Sequence, residues 1–127
     1  MQSAPMKKVL IVEDQPHIAR ILNDVLKKSG YETEIANNGA IGVDKARAFM
    51  PDLIFMDIMM PIKTGFEATR EIRASDGLEN VAIIFLTAKG QQADKDNAME
   101  LGANGFITKP FSPRAILSIV EETIGKA

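Results

Sequence analysis

Five short apolar runs are spaced along the chain, and each is followed by a stretch in which apolar residues recur at helical spacing. The runs have the length and the β-branched content of buried strands. The predicted strands cover Val9–Val12, Tyr31–Ala36, Asp52–Met56, Val81–Leu86 and Phe106–Thr108. The predicted helices cover Pro16–Lys28, Ala40–Phe49, Gly65–Ala74, Gln91–Leu101 and Pro113–Ile124.

The regular alternation of strand and helix predicts the fold class. Units of this length imply α/β architecture: a five-stranded parallel sheet with five helices on its two faces, because each crossover is right-handed. Tyr31–Ala36 alternates its apolar residues with Glu32 and Glu34, so this strand is expected at an edge of the sheet.

Potential capping residues predict where two of the helices begin. Asp14 is predicted to cap the first helix, with Pro16 in its first turn, and Ser112 followed by Pro113 is expected to start the last one. The apolar residues that the last helix is expected to bury are Ile116, Leu117, Val120 and Ile124.

Bulk composition narrows the class of protein. The 127 residues suit one domain, predicted at 7–125, with residues 1–6 as a disordered tail or expression remnant and no output domain. A net charge of −2 without any Lys/Arg block argues against a nucleic-acid surface. The absence of cysteine excludes thiolate metal sites. No apolar run approaches the roughly 20 residues of a membrane span, and a soluble cytoplasmic protein is expected.

Polar residues stand at the carboxyl ends of four predicted strands. Glu13 and Asp14 follow the first strand, and Asp57, Thr87 and Lys109 follow the third, fourth and fifth. Parallel strands end at one edge of a sheet, so these side chains can converge there. Taken alone, Asp57 could equally cap a loop or a helix; the matching residues on the other strands favour chemistry.

A cluster of three carboxylates needs compensating charge. Each pair repels by about 4 kcal/mol at a separation of about 4 Å and an effective dielectric of about 20. Lys109 supplies one positive charge. Oxygen ligands without nearby His or Cys then indicate Mg²⁺, with Mn²⁺ as a substitute. An acidic rim solvated by water is the alternative.

At these positions the sequence resembles the receiver domains of bacterial two-component response regulators, of the chemotaxis type. The resemblance runs from about Lys7 to Ile124 and implies flavodoxin-like winding with the strand order 2-1-3-4-5. It rests on four motifs in order: V-L-I-V-E-D (Val9 to Asp14), D-L-I-F-M-D-I-M-M-P (Asp52 to Pro61), L-T-A (Leu86 to Ala88) and G-F-I-T-K-P-F (Gly105 to Phe111).

The resemblance implies a metal site and a phosphoacceptor. Asp57 matches the phosphoacceptor, and Asp14 matches the acid that binds Mg²⁺ directly. Glu13 matches the acid that reaches the metal through water. The backbone carbonyl of Met59 would be a further ligand of the metal.

The resemblance also implies a switch. Thr87 matches the hydroxyl that binds the phosphoryl group, and Lys109 matches the lysine that pairs with it. Phe106 matches the aromatic switch residue, which turns from exposed to buried as the Thr87 hydroxyl moves inward. The bond between Lys109 and Pro110 is commonly cis in the family.

The function that the resemblance implies is phosphorelay signalling. A histidine kinase or a histidine phosphotransfer protein would phosphorylate Asp57, and residues of about 91–111 would then bind a downstream protein. Such a domain is not an enzyme in the ordinary sense, because it catalyses only its own phosphorylation and autodephosphorylation. A phosphorylation-independent interaction module of the same fold is the alternative. A flavin-binding protein is disfavoured, since the first loop, Glu13–Pro16, lacks a Gly/Ser/Thr-rich phosphate cradle.

Several details depart from the family pattern or qualify it. Asn104 and Gly105 stand where many DNA-binding members carry an acidic pair, which puts their charge-paired dimer in doubt. Met59 and Lys89 flank the route by which water would attack an acyl phosphate, and apolar Met59 is predicted to hinder that water. His17 is expected to be a surface residue.

Overall fold

The computed structural model describes residues 6–88 and 92–127, apart from the side chain of Gln92. The strands are β1 Lys8–Val12, β2 Glu32–Ala36, β3 Leu53–Asp57, β4 Ala82–Ala88 and β5 Gly105–Lys109. The helices are α1 Pro16–Lys28, α2 Gly39–Phe49, α3 Gly65–Arg73, α4 Gln92–Glu100 and α5 Pro113–Ile124. All strands are parallel, in the order β2-β1-β3-β4-β5. The predicted fold class and strand order are confirmed.

The strands bury alternate side chains on opposite faces of the sheet, which creates two apolar cores. On one face Leu10, Ile54 and Phe85 pack with residues of α2 and α3. On the other face Ile11 and Phe55 pack with residues of α1 and α5. The sheet is therefore the middle layer of three, and its central strands are apolar throughout because both of their faces are covered.

β2 lies at the edge of the sheet, as its alternating pattern predicts. Glu32 and Glu34 are exposed, whereas Ala36 is buried. Tyr31 was predicted to open the strand, and this was wrong. Its ring is buried before the strand begins, and its hydroxyl donates a hydrogen bond to the Gly125 carbonyl at 2.9 Å. The phenol therefore ties the chain after α5 to the start of β2.

Capping differs from the prediction at α1 and agrees with it at α5. Gln15, not Asp14, is the N-cap of α1, and it makes no side-chain capping bond. The Asp14 carboxylate instead lies beside two other acids at the sheet edge. At α5, the Ser112 hydroxyl accepts a hydrogen bond from the Ala115 amide, as expected.

Two other predicted details need correction or restriction. Leu117 and Ile124 of α5 are only half-buried, because the helix covers the outer part of the sheet along the narrow stripe of Ile116 and Val120. The predicted start of α4, Gln91, lies outside the described residues, and so does Lys89. Within the described ranges, no helix combines the length and the apolar character that crossing a bilayer requires.

Candidate functional site

Three carboxylates meet at the carboxyl edge of the sheet. Glu13 and Asp57 are buried, with 1% and 6% of their surface exposed, and Asp14 is half-buried. One oxygen of each lies within 4.8 Å of the others. Beside them opens a cavity of about 490 Å³, whose wall includes Asp14, Asp57, Met59 and Lys109. The sequence prediction that strand ends converge is thus correct for these residues.

Lys109 holds the two buried acids together. Its Nζ lies 2.9 Å from Glu13 Oε1 and 3.3 Å from Asp57 Oδ1. The Glu13 contact is an ion pair without an aligned hydrogen bond, whereas the other carboxylate oxygen of Glu13 accepts from the Gln15 amide at 3.1 Å. Burial of the ammonium lowers the pKa of Lys109, but its contacts with Glu13 and Asp57 outweigh burial and raise that pKa overall.

The cluster carries more negative than positive charge. Burial, followed by the neighbouring charge of Glu13, raises the pKa of Asp57 to about 7, although Lys109 acts in the opposite direction. One lysine therefore does not neutralise three acids. A compact set of oxygen donors with excess negative charge, and without His or Cys in the group, fits a hard divalent cation such as Mg²⁺.

Thr87 lies at the end of β4 but not on the cavity wall. It is 1% exposed, and its hydroxyl has no hydrogen-bond partner in the described part of the chain. A buried hydroxyl without a partner costs about 1–3 kcal/mol. Such a hydroxyl is available to an acceptor that enters the site.

The remaining predicted residues lie around this cluster. Phe106 is half-buried against the α2–α3 core, and the Lys95 ammonium lies 5.0 Å from the centroid of its ring. The Met59 side chain is 72% exposed at the cavity wall. The Lys109–Pro110 peptide is cis, as expected. His17 is exposed, which confirms its assignment to the surface.

Sequence reasoning missed the role of Gly65 in shaping the site. The Gly65 amide donates to the Ile58 carbonyl at 2.8 Å, and a Cβ on this residue would stand 2.2 Å from the Asp57 carbonyl oxygen. The start of α3 is therefore packed directly on the strand end that carries Asp57. A visible signal was Thr64-x-x-Glu67, which forms a reciprocal capping box and fixes where the helix begins.

The loop between β3 and α3 contains a strained residue. Ile62 has φ of 74°, and the Lys63 amide donates to the Pro61 carbonyl across it, which defines a γ-turn. A β-branched residue is rare at positive φ. The Ile62 side chain is 81% exposed, so packing within the chain does not offset the strain.

We expect Ile62→Asn to stabilise the protein. Asn adopts a positive φ more readily than a β-branched residue does, so the substitution should recover about 1 kcal/mol of backbone strain and raise the melting temperature by about 3 °C. Ile62→Val is the control, because Val is also β-branched and retains the strain. Calorimetry of the three proteins checks this; a lower melting temperature for Ile62→Asn than for Ile62→Val would contradict it.

Comparisons with known proteins point to one protein family. The family model described as "Response regulator receiver domain" matches residues 9–121. A protein of Pyropia yezoensis named "Probable transcriptional regulator ycf29" is 34% identical over 119 residues, which are 94% of this chain and 54% of that protein. The chain thus spans about half the length of this curated relative.

Solved structures share both the fold and part of the sequence. Chemotaxis protein CheY4 of Vibrio cholerae superposes with a TM-score of 0.90 at 32% identity, covering 94% of this chain and all of that one. The receiver domain of the sensor histidine kinase PA1611 from Pseudomonas aeruginosa gives a TM-score of 0.87 at 34% identity, covering 96% and 100%. That structure is described with a magnesium ion coordinated in its active-site cleft.

Proposed function

Because the chain belongs to the response regulator receiver domain family of two-component systems, we propose that it accepts a phosphoryl group on Asp57 and thereby switches a protein-binding face. The observation that carries this proposal is the placement of Asp57. It is a buried carboxylate at the end of β3, in contact with Lys109 and beside Glu13 and Asp14, at the wall of an open cavity.

The proposed reaction is transfer from a phosphohistidine of a histidine kinase or a histidine phosphotransfer protein. An Asp57 carboxylate oxygen attacks phosphorus, and the phosphorus–nitrogen bond breaks with its electron pair returning to the imidazole. The product is an acyl phosphate on Asp57. No general base is needed, because the nucleophile is the ionised carboxylate, the form of Asp57 that a bound Mg²⁺ would favour over the protonated one. Lys109 Nζ, which contacts Asp57 before reaction, would pair with an oxygen of the transferred group.

The residues proposed to hold Mg²⁺ are Asp14, Asp57, the Met59 carbonyl and, through water, Glu13. The ion, when bound, supplies the positive charge that phosphoryl transfer requires. Mn²⁺ has similar preferences for oxygen ligands and is expected to substitute. The protein's part is positioning: the strand ends fix the acids, and the Lys109 ion pairs keep Glu13 and Asp57 from separating.

The proposed switch links Thr87 to Phe106. Among the described residues the Thr87 hydroxyl has no hydrogen-bond partner, and it would donate a hydrogen bond to the new phosphoryl oxygens. Its inward movement would free space for Phe106, which is half-buried and can become fully buried. The face formed by about residues 91–111 would then bind a downstream protein in the cytoplasm, where we place the domain. This sequence of events is a local charge change acting on a bistable side chain.

The test is phosphorylation by a small donor. The protein is incubated with Mg²⁺ and acetyl phosphate, and the intact mass is measured. We expect a gain of one phosphoryl group that Asp57→Asn abolishes. Asp52→Asn is the matched control, since Asp52 is an exposed acid that precedes the same strand, and it should be labelled like the wild type. No gain with any small donor or kinase would favour the phosphorylation-independent interaction module.

Met59 is expected to lengthen the lifetime of the acyl phosphate. Its exposed apolar side chain lines the cavity beside Asp57 and would hinder an attacking water. Met59→Asn should speed autodephosphorylation by on the order of tenfold, equivalent to about 1.4 kcal/mol in the barrier. Met99→Asn, an exposed methionine of α4 away from the cavity wall, is the control. Loss of the phosphoryl mass over time gives the rate, and an unchanged or slower rate in Met59→Asn refutes the role.

A further inference from the structure

Helix α4 is attached to the domain by little apolar surface. Of its described side chains, at positions 93–100, only Ala98 is buried. The other apolar side chains of α4, Ala93 and Met99, are exposed. The position of this helix must therefore depend on contacts other than core packing.

The C-terminal end of α4 is fixed by backbone geometry. Gly102 has φ of 76°, its amide donates to the Met99 carbonyl, and the Ala103 amide donates to the Ala98 carbonyl. These two bonds form a Schellman motif. Asn104 then joins β4: its amide donates to the Ile83 carbonyl, and its side-chain oxygen accepts from the Ile83 amide, both at 2.9 Å.

Arg73, the last residue of α3, reaches this turn from outside. One guanidinium nitrogen, Nη2, donates to the Gly102 carbonyl at 2.9 Å. The other, Nη1, donates to the Val81 carbonyl at 2.5 Å and the Glu79 carbonyl at 3.3 Å. A single side chain thus joins the end of α4 to the segment that enters β4.

The charge of Arg73 also suits this position. α4 carries no basic residue in its own last turn, although a cation there is favourable against the partial negative charge of a helix C-terminus. Arg73 brings a cation from another helix. No carboxylate forms an ion pair with it within the described part of the chain, and burial lowers its pKa. Among the described residues, its hydrogen-bond partners are three backbone carbonyls.

Away from this fixed end, α4 touches the proposed switch residue. Lys95 lies over the Phe106 ring at 5.0 Å, a distance at which a cation is attracted to an aromatic face. A change in the Phe106 side chain would therefore alter a direct contact with α4.

We propose that Arg73 is a positioning residue that holds the Gly102 turn in place. When the Phe106 side chain changes its position, α4 then pivots about that turn. The inference rests on the proposed function, because the change at Phe106 is the one attributed to phosphorylation of Asp57. Without Arg73 the turn keeps its backbone and Asn104 bonds but loses its link to the segment that enters β4. The turn is then held less firmly, and a shift at Phe106 is no longer converted into a defined movement of the helix.

Hydrogen exchange measured by mass spectrometry tests the proposal on the full chain. In unphosphorylated Arg73→Met, the amides of residues 101–103 should exchange at least about tenfold faster than in the wild type, because the turn has lost its hydrogen bond to Arg73. A tenfold change corresponds to about 1.4 kcal/mol of local stability. After acetyl phosphate and Mg²⁺, the wild type should change its exchange at residues 93–98 and keep residues 101–103 protected. Arg73→Met should show no such localised difference, although it gains the phosphoryl mass normally.

Two further variants separate this role from general destabilisation. Arg70→Met removes an exposed arginine one turn earlier on α3 and should behave as the wild type. Arg73→Lys keeps the charge with fewer donors, folds more readily than the Met variant, and should restore part of the localised difference. Uniformly faster exchange throughout Arg73→Met, or an unchanged localised difference, overturns the proposal. If the wild type gains no phosphoryl mass, the proposed function is refuted. The comparison of exchange at residues 101–103 between the unphosphorylated wild type and Arg73→Met still decides whether Arg73 anchors the turn.

Discussion

Gly65→Ala is expected to damage both stability and phosphorylation. An added Cβ would stand 2.2 Å from the Asp57 carbonyl oxygen and 3.0 Å from the Asp57 carbonyl carbon. The atoms in its way belong to the backbone, so they cannot be moved by a rotamer change. Overpacking of this kind costs about 3 kcal/mol, which corresponds to a fall of about 10 °C in melting temperature.

The effect on phosphorylation should be larger than the effect on folding. The substitution either displaces α3 or displaces the strand end that carries Asp57, and a misplacement of about 1 Å can cost about a hundredfold in rate. The rate of labelling by acetyl phosphate should therefore fall by about a hundredfold at a temperature where the variant is still folded.

Gly105→Ala is the matched control for that substitution. Its added Cβ would meet the end of the Ile119 side chain at 3.3 Å and of the Ile84 side chain at 3.4 Å, and both ends can adjust. We expect a small change in melting temperature and an unchanged rate of labelling. Equal behaviour of the two alanine variants would show that the contact between Gly65 and Asp57 does not shape the site.

Stability of the metal-free protein is expected to fall as the pH rises from about 4 to about 7. The pKa of Asp57 is raised to about 7 by burial and by Glu13, whereas an unfolded aspartate has a pKa of about 3.9. Between these values the folded protein holds a proton that the unfolded chain has released. The free energy of unfolding therefore decreases by up to about 1.4 kcal/mol per pH unit, on the order of 4 kcal/mol in all, and levels off above pH 7.

Urea denaturation in the presence of a chelator measures this dependence. Other groups titrate as well, so the informative quantity is the difference between the wild type and Asp57→Asn. The amide cannot ionise, and the variant should become progressively more stable than the wild type towards pH 8. Asp44→Asn, which removes an exposed acid of α2, should follow the wild type at every pH. Parallel curves for the wild type and Asp57→Asn would refute the raised pKa.

Mg²⁺ should reverse the trend, because the cation and the proton compete for the same carboxylate. We expect its stabilisation of the wild type to grow as the pH rises through about 7, and to be weaker in Asp57→Asn. A stabilisation independent of pH would contradict the proposed role of Asp57 as a ligand.

The sequence predicts the acidic cluster well because the relevant information is local. Asp57 ends an apolar run, and Glu13 with Asp14 ends another, so strand prediction alone brings them to one edge. The position of Lys109 at the same edge is predicted in the same way, because this residue follows a short predicted strand. The structure adds what the pattern cannot give, namely which acids Lys109 contacts and how deeply each is buried.

The sequence does not predict contacts that depend on the approach of two backbones or on a long side chain. Gly65 marks a turn in the pattern, but its contact with the Asp57 carbonyl follows only from how α3 lies on β3. Arg73 reads as an ordinary basic residue in the last turn of a helix, and its partners at residues 79, 81 and 102 belong to other segments. The N-cap at Gln15 was missed because Asp14 has a stronger competing position in the acidic cluster.

The strand order has a consequence for how newly made protein could be assayed. The acids lie at the ends of β1 and β3, whereas Lys109 belongs to β5, which follows both strands in the sequence and forms an edge of the sheet. A chain released before β5 has docked would hold its acids without the lysine that pairs with them. The fraction of molecules that gain a phosphoryl group should therefore count the chains in which β5 has docked, and acetyl phosphate could serve as a titrant of correctly assembled domain during refolding.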